Sequence, residues 1–249
     1  MSTSYGALCS DFYVNLKVGL KLDLPDDRQS VLDLFDRIKR QHPALKHLKR
    51  FRGEFALESN DSNGRNQWMA LRRNTIRAGI VNPPELGDAY TMHRSILEVA
   101  PFFLSLSSLD IDYVEMLFGF DLECDTNQNA IVHDAFYAGT PLGELLDIPS
   151  TKPMDLQPFL GVGLREDMEL QAYFEIKTRT GARQIRNGEP TEEPISVYLT
   201  IRKYSPVEDV KDLPDALSAM GVEAERLTES KVIPQLVMPL RESIAKAKF

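Results

Sequence analysis

The segment FYVNLKVGLKLDL, residues 12–24, alternates apolar and polar side chains at a period of two. Successive side chains of a β-strand point to opposite faces of a sheet, so this pattern predicts one buried and one solvated face. A solvated face is typical of antiparallel or mixed sheets, because helices cover purely parallel sheets on both sides. Residues 12–24 therefore predict the first strand of a sheet with an open side.

Six further segments show a strand pattern, which gives seven predicted strands in all. The order over residues 1–124 is strand, helix, strand, strand, helix, strand, and this order resembles the ferredoxin-like βαββαβ domain. Residues 125–249 follow as helix, three strands and helix (αβββα). We expect an α+β fold with a largely antiparallel sheet, or two sheets, and helices on one face. The two halves are the predicted domains, and a single continuous domain is the alternative. The six segments are Arg50–Glu58, Trp68–Val81, Tyr113–Glu123, Leu156–Leu164, Glu169–Lys177 and Ile195–Arg202.

Composition limits the class of protein. The chain has 249 residues, of which 43% are apolar, and no apolar run reaches the 18 or so residues of a membrane-spanning helix. The first ten residues show no basic region followed by an apolar one, so no secretory signal is predicted. Cys9 and Cys124 share no metal or redox spacing, which is typical of free thiols in a reducing compartment. We therefore expect a cytoplasmic protein that does not bind a membrane.

The familiar catalytic and cofactor motifs do not occur. The chain has no glycine-rich phosphate loop, and the glycines at 161 and 163 fall inside a strand pattern instead of between a strand and a helix. A hydrolase nucleophile elbow is also missing. No two histidines have the spacing that places two metal ligands on one helical face. The sequence therefore predicts no metal and no cofactor. The four histidines are His42, His47, His93 and His133.

Charge is distributed unevenly along the chain. Residues 37–77 contain eleven basic and three acidic residues, a net charge of +8, whereas the whole chain carries −8. The basic region could bind a small anionic ligand, or it could pair with acidic residues inside the fold or across a dimer. A stripe of Arg52, Arg73 and Arg77 suggests single-stranded RNA as an alternative ligand. The acidic total charge and the missing RNP1 motif make nucleic acid the least favoured partner.

Two other groups of side chains are candidates for a site. Asp121 and Glu123 share a strand face, and with Glu175 they could perform acid–base chemistry or bind a cation. The polar segment 179–194 could then act as a lid over an enzyme site. Cross-strand pairing of the fourth predicted strand with Lys17 and Lys21 of the first strand explains Asp121 and Glu123 without a function.

The second group is Tyr173, Tyr198 and Arg202, which predict an amphipathic patch on the later strands. Tyr and Arg dominate binding energy at many protein interfaces. The leading hypothesis is therefore a non-catalytic protein whose open sheet face binds a protein partner or a second copy of itself. An enzyme, or a protein that binds a small anion on that face, is the alternative.

Overall fold

The computed structural model describes residues 4–24, 27–62, 64–205 and 207–247. The first three residues of the N-terminal segment considered above lie outside these ranges. Within the described ranges the chain has an α+β fold with a single antiparallel sheet of nine strands. The strands are β1 (Asp11–Leu20), β2 (His47–Phe51), β3 (Glu54–Glu58), β4 (Asn66–Arg72), β5 (Thr75–Val81), β6 (Ile111–Leu122), β7 (Phe159–Gly163), β8 (Leu170–Lys177) and β9 (Ile195–Tyr204).

The helices occupy the connections between strands and the C-terminal region. The last two are joined by a π-helical segment, Thr228–Val237, which contains Pro234. A proline removes one backbone donor, and a wider π turn accommodates that loss. The helices are α1 (Arg28–Gln41), α2 (Leu86–Phe103), α3 (Gln128–Phe136), α4 (Pro141–Glu144), α5 (Ala182–Asn187), α6 (Leu213–Leu227) and α7 (Met238–Ala247).

The strand order is β2-β3-β4-β5-β1-β6-β9-β8-β7, so the N-terminal strand lies at the centre. Phe12 of β1 is paired with Phe120 of β6, and both side chains are buried. Their rings also lie 5.1 Å apart. Strands from both predicted halves contribute to this sheet, and one hydrophobic core draws residues from every strand except the two edge strands, β2 and β7.

The helical layer lies on the core side of the sheet. Helix α2 packs against β5, and α6 packs against β6 and β9. The helices also pack on one another, α1 on α2 and α3 on α7. Their buried residues, such as Ile96 and Leu217, belong to the same core as Phe12. The opposite side chains of the strands form the other face, which we call the open face.

Two of the predicted strands are hairpins, so seven is a wrong count for the described residues. The segment from 50 to 58 divides into β2 and β3 around Gly53, whose φ is +75°. The segment from 68 to 81 divides into β4 and β5 around Arg73, whose φ is +21°. Positive φ reverses the chain at both places. Four strands therefore separate α1 from α2, and the ferredoxin-like order is not confirmed.

Other boundaries also differ from the prediction. The first strand ends at Leu20, and Leu22 is 69% exposed. The fifth predicted strand is shortened to β7, where Leu160 and Val162 are exposed, not buried. The polar segment 179–194 contains the short helix α5. None of the helices in the described ranges is long and apolar enough to cross a membrane.

Candidate functional site

The open face carries aromatic and charged side chains along its central strands. These side chains alternate with the core residues of the same strands and remain partly exposed, except for Glu115, which is buried. Among the described helices α2, α6 and the π-helical segment make the more extensive contacts with the strands, and their buried residues belong to the core on the other side of the sheet. These aromatic and charged side chains are Tyr13, Lys17, Trp68, Arg77, Tyr113, Glu115, Tyr173, Tyr198, Arg202 and Tyr204.

Four aromatic rings lie flat on this face because each covers a glycine of a neighbouring strand. A Cβ atom at Gly119 would overlap the ring of Tyr13, so only glycine leaves room for that ring. Aromatic side chains cover edge and strand glycines in this way when they shield the backbone from water. The result is a broad surface of ring faces fixed in position. The pairs are Tyr13 with Gly119, Tyr113 with Gly19, Trp68 with Gly79, and Tyr173 with Gly161.

Arg202 lies at the centre of the aromatic surface. Its guanidinium carbon is 4.9 Å from the ring centre of Tyr113 and 5.1 Å from that of Tyr173. Its Nη1 donates to the hydroxyl of Tyr204 at 2.9 Å, and Nε donates to Glu115 at 2.5 Å. Burial alone would lower the pKa of Arg202, but the bond to Tyr204 and the charge of Glu115 raise it. Arg202 is therefore a fixed cation held between aromatic rings.

Two further cations lie in the same row of side chains as Glu115 and Arg202. Lys17 Nζ lies 3.4 Å from Glu115 and 4.9 Å from the ring centre of Tyr113. Arg77 is the cross-strand partner of Lys17 and lies over the ring of Trp68 at 5.6 Å. Lys17 and Arg202 contact the Glu115 carboxylate, and Arg77 lies one strand beyond Lys17, so these four side chains carry a net positive charge although the chain is acidic.

A cluster of polar side chains lies at one end of the open face. Asp121 accepts hydrogen bonds from the hydroxyls of Tyr13 (3.2 Å) and Ser196 (2.5 Å). Burial raises the pKa of Asp121, and these two hydrogen bonds partly oppose that effect. Arg179 donates to the hydroxyl of Tyr198 at 3.1 Å, which joins segment 179–194 to the face. The cluster therefore joins β1, β6 and β9 through one oxygen, Oδ1, of the Asp121 carboxylate.

Segment 179–194 is held by two side chains that the sequence-based predictions missed. Gln128 and Asn129, at the start of α3, are fully buried. Gln128 accepts from the backbone of Arg179 and donates to the carbonyl of Glu193. Asn129 donates to the carbonyl of Thr180. We call these two residues the polar clamp. Two adjacent polar residues at the first turn of a helix are an ordinary surface pattern, so their burial left no local signal in the sequence.

The structure separates the three arginines proposed for RNA. Arg52 lies in the β2–β3 turn and Arg73 in the β4–β5 turn. Arg73 pairs with Asp23 at 2.9 Å, and both side chains are well exposed. Of the three, Arg77 lies on the open face, so the residues do not form one continuous stripe there.

The proposed carboxylates are also spread out. Asp121 belongs to the polar cluster, whereas Glu175 lies on β8 opposite Tyr198 and Phe159. Glu123 lies beyond β6, in a 380 Å³ cleft that it shares with Asp11 and Thr191. By contrast, Tyr173, Tyr198 and Arg202 lie on neighbouring strands of one face.

Two findings concern metal ligands and thiols in the described residues. No three or more His, Cys, Asp or Glu side chains there are close enough together to hold a metal ion. Cys9 and Cys124 are free thiols. Burial, with the charges of Asp121 and Asp11, raises the pKa of Cys9 to about 12, so this thiol is a poor nucleophile.

The charged centre yields a direct stability prediction. Glu115→Gln removes the carboxylate that faces Arg202 and Lys17 and should lower the free energy of unfolding by about 1–2 kcal/mol, less than for a fully buried pair. Urea unfolding followed by circular dichroism measures this change. The matched control is Glu98→Gln in the exposed pair with Arg94, where we expect less than about 0.5 kcal/mol. Equal effects in the two variants would mean that the centre is not a coupled charge cluster.

No protein-family model and no curated protein matches this sequence. The side chains of the open face are therefore the evidence for its role.

Proposed function

We propose that the protein is a non-catalytic binding protein and that its open face binds a protein partner with an acidic contact surface. The observation that carries this proposal is Arg202, held among the rings of Tyr113, Tyr173 and Tyr204 on the side of the sheet opposite the helices. Tyr, Trp and Arg are the residues that most often dominate the binding energy of protein interfaces.

The fixed positions of the rings favour binding. Tyr13 covers Gly119 and donates to Asp121, so it has little rotamer freedom left to lose when a partner binds. Ordering a mobile side chain at an interface costs about 0.5–1.5 kcal/mol, and preorganised side chains avoid most of that cost. A broad set of ring faces also suits a protein surface better than a small molecule, which is normally bound in a concave pocket.

The charge of the face indicates the chemistry of the partner. Glu115 is shared by Arg202 and Lys17, and Arg77 adds a further cation beside them. The centre therefore keeps excess positive charge. Carboxylates of a partner would complement this charge, direct the approach of the two proteins and fix their register.

Site-specific photo-crosslinking tests the proposal. Thr200 lies on β9 between Leu117 and Tyr173 of the open face, and Val222 is 66% exposed on α6. With p-benzoylphenylalanine at Thr200, irradiation of the protein's native cells should give a covalent adduct with an acidic partner, identified by mass spectrometry. The same group at Val222 should give none.

Charge reversal provides the second half of this test. Lys17→Glu with Arg77→Glu should abolish the adduct at Thr200, because the partner's carboxylates would then be repelled. Arg226→Glu, on the surface of α6, is the matched control and should leave the adduct unchanged. The proposal fails if no adduct forms at Thr200, or if the two reversals act alike.

The two alternatives have weaker support. A catalytic or small-anion site beneath segment 179–194 would depend on Asp121, whose raised pKa suits an acid. The hydroxyls of Tyr13 and Ser196 both bond to Oδ1 of that carboxylate, and no described cation contacts it closely enough to form an ion pair. Binding of single-stranded RNA would depend on Arg52, Arg73 and Arg77, which do not share the open face as a set. Binding of a protein is therefore the function that the geometry favours.

A further inference from the structure

The two edges of the sheet differ in charge. One edge is β2, with the sequence HLKRF, and the other is β7, with the sequence FLGVG. Exposed strand edges normally carry charged residues or proline, which prevent pairing with another chain. Lys49 and Arg50 protect β2 in this way. The edge strand β7 has no charge and no proline, and Phe159, Leu160 and Val162 are 60%, 61% and 46% exposed.

The hydrogen bonds of β7 show which of its backbone groups are unpaired. Leu164 N donates to Leu170 O, and Ile176 N donates to Pro158 O. In an antiparallel pair, residues alternate between bonding to the neighbour and pointing away from it. Leu160 and Val162 therefore bond to β8. The N–H and C=O groups of Phe159, Gly161 and Gly163 point outward, away from the sheet.

We propose that a second copy of this chain pairs with this edge, strand β7 against strand β7, around a two-fold axis at Gly161. In that register the outward groups of Gly161 bond to Gly161 of the partner subunit. Phe159 then lies opposite Gly163 of the partner subunit, and Leu160 lies opposite Val162 of the partner subunit. A two-fold interface uses the same patch on both copies, so every outward group of one strand meets its complement on the other.

The side chains fit this register on both faces. On the open face, Phe159 stacks on Tyr173 with ring centres 5.5 Å apart. Its cross-strand neighbour would be Gly163 of the partner subunit. In this chain the sulfur of Met168 fills the space over Gly163, so Phe159 would meet the partner's Met168 in a sulfur–aromatic contact. On the other face, Leu160 and Val162 would cover each other and lose their exposure.

Charge favours a second copy as the occupant. Two β7 strands meet without like charges, whereas two β2 strands would oppose Lys49 and Arg50 across the contact. The sequence of β7 is also self-complementary, because the two-fold axis would place the large Phe159 of each copy opposite the small Gly163 of the other. In the dimer, the sheets of the two copies would join into one continuous sheet. A five-residue edge is a small contact, so we expect weak, concentration-dependent association.

Light scattering of the full chain over a concentration series up to the millimolar range tests the pairing. We expect the mass to rise from monomer to dimer. Leu160→Lys should leave a monomer, because it places like charges on both sides of the contact. Gly161→Pro should also leave a monomer, because it removes an outward N–H without breaking a bond to β8. The matched control, Leu48→Lys on β2, should still dimerise. Circular dichroism verifies that each variant is folded.

The register has its own test. Gly161→Cys, in a chain with Cys9 and Cys124 replaced by serine, should form a disulfide-linked dimer under mild oxidation. Directly opposed residues of a bonded antiparallel pair have Cα atoms about 5.5 Å apart, within the range that a disulfide spans. Leu48→Cys should give no such dimer. A strict monomer, a dimer that survives Leu160→Lys, or cross-linking only at residue 48 would each overturn the inference.

The edge inference does not depend on the proposed function. Leu160→Lys should leave the photo-adduct at Thr200 intact, because residue 160 lies on the other face of the sheet. Lys17→Glu with Arg77→Glu should leave the dimer intact. Failure of one proposal is therefore distinguishable from failure of the other.

Discussion

Replacing Asn129 by alanine is expected to lower the free energy of unfolding by about 3–5 kcal/mol, because several buried polar groups lose their partners together. The amide of Asn129 donates to the carbonyls of Met154 (3.0 Å) and Thr180 (3.1 Å). Its oxygen accepts from the backbone of Leu156 (3.0 Å) and the hydroxyl of Thr178 (2.8 Å). Each unsatisfied buried group costs about 1–3 kcal/mol, reduced where water can enter.

Urea unfolding monitored by circular dichroism gives the comparison with the wild type. Asn187→Ala is the matched control, because Asn187 is exposed and its amide bonds only to the exposed side chains of Arg186 and Glu189 among the described residues. That change should cost less than about 0.5 kcal/mol, as at most surface positions. A loss below about 1 kcal/mol for Asn129→Ala would show that the polar clamp contributes little to the fold.

The polar clamp could not be found from the sequence because its partners are distant in the chain. A helix at the start of residues 125–249 was predicted from the sequence, and α3 is that helix. The partners of Asn129 lie 25 to 51 residues away, so no spacing rule connects them. A buried amide is recognised only after the fold has placed those segments around it.

The missed hairpin of β4 and β5 did leave a signal in the sequence. In β4 the residues of the hydrophobic core are Met69 and Leu71, with Ala70 between them buried on the other face, and in β5 the buried residues begin at Ile76. A continuous strand would keep buried residues two apart, but the step from Leu71 to Ile76 is five. The turn at Arg73-Asn74 contains no glycine or proline, and the change of phase was therefore the only local evidence of a reversal.

On the open face, the sequence predicted neighbours but not their arrangement. Alternation along β1 placed Lys17 on the polar side and the fourth predicted strand beside it, and the contact between Lys17 and Glu115 confirms that neighbour relation. The pairing of rings with glycines depends on strand register, which joins residues as far apart as Tyr13 and Gly119. Leu160 and Val162 looked buried by alternation, yet burial requires a helix above them. Among the described helices none covers that edge strand well enough to bury them.

A fully buried histidine is expected to make the fold sensitive to acid. His93 on α2 is 0% exposed, and neither ring nitrogen has a hydrogen-bond partner among the described residues. Burial, with a smaller contribution from the charge of His42, lowers the pKa of His93 to about 3. An unfolded histidine has a pKa of about 6.5, so below that pH the unfolded chain binds a proton that the folded chain does not.

The free energy of unfolding should therefore be independent of His93 above about pH 6.5 and should fall by about 1.4 kcal/mol for each pH unit between there and about pH 3. At pH 5 the loss from His93 alone is about 2 kcal/mol. His93→Leu should remove this part of the pH dependence and keep or raise stability at pH 7, since a polar ring without partners is replaced by an apolar side chain. Some acid sensitivity should remain, because burial also lowers the pKa of His42 beside it. Urea unfolding at pH 7, 6 and 5 measures both slopes. Replacement of the exposed His47 by glutamine should retain the wild-type slope, and a His93→Leu slope equal to that of the wild type would assign the acid sensitivity to other groups.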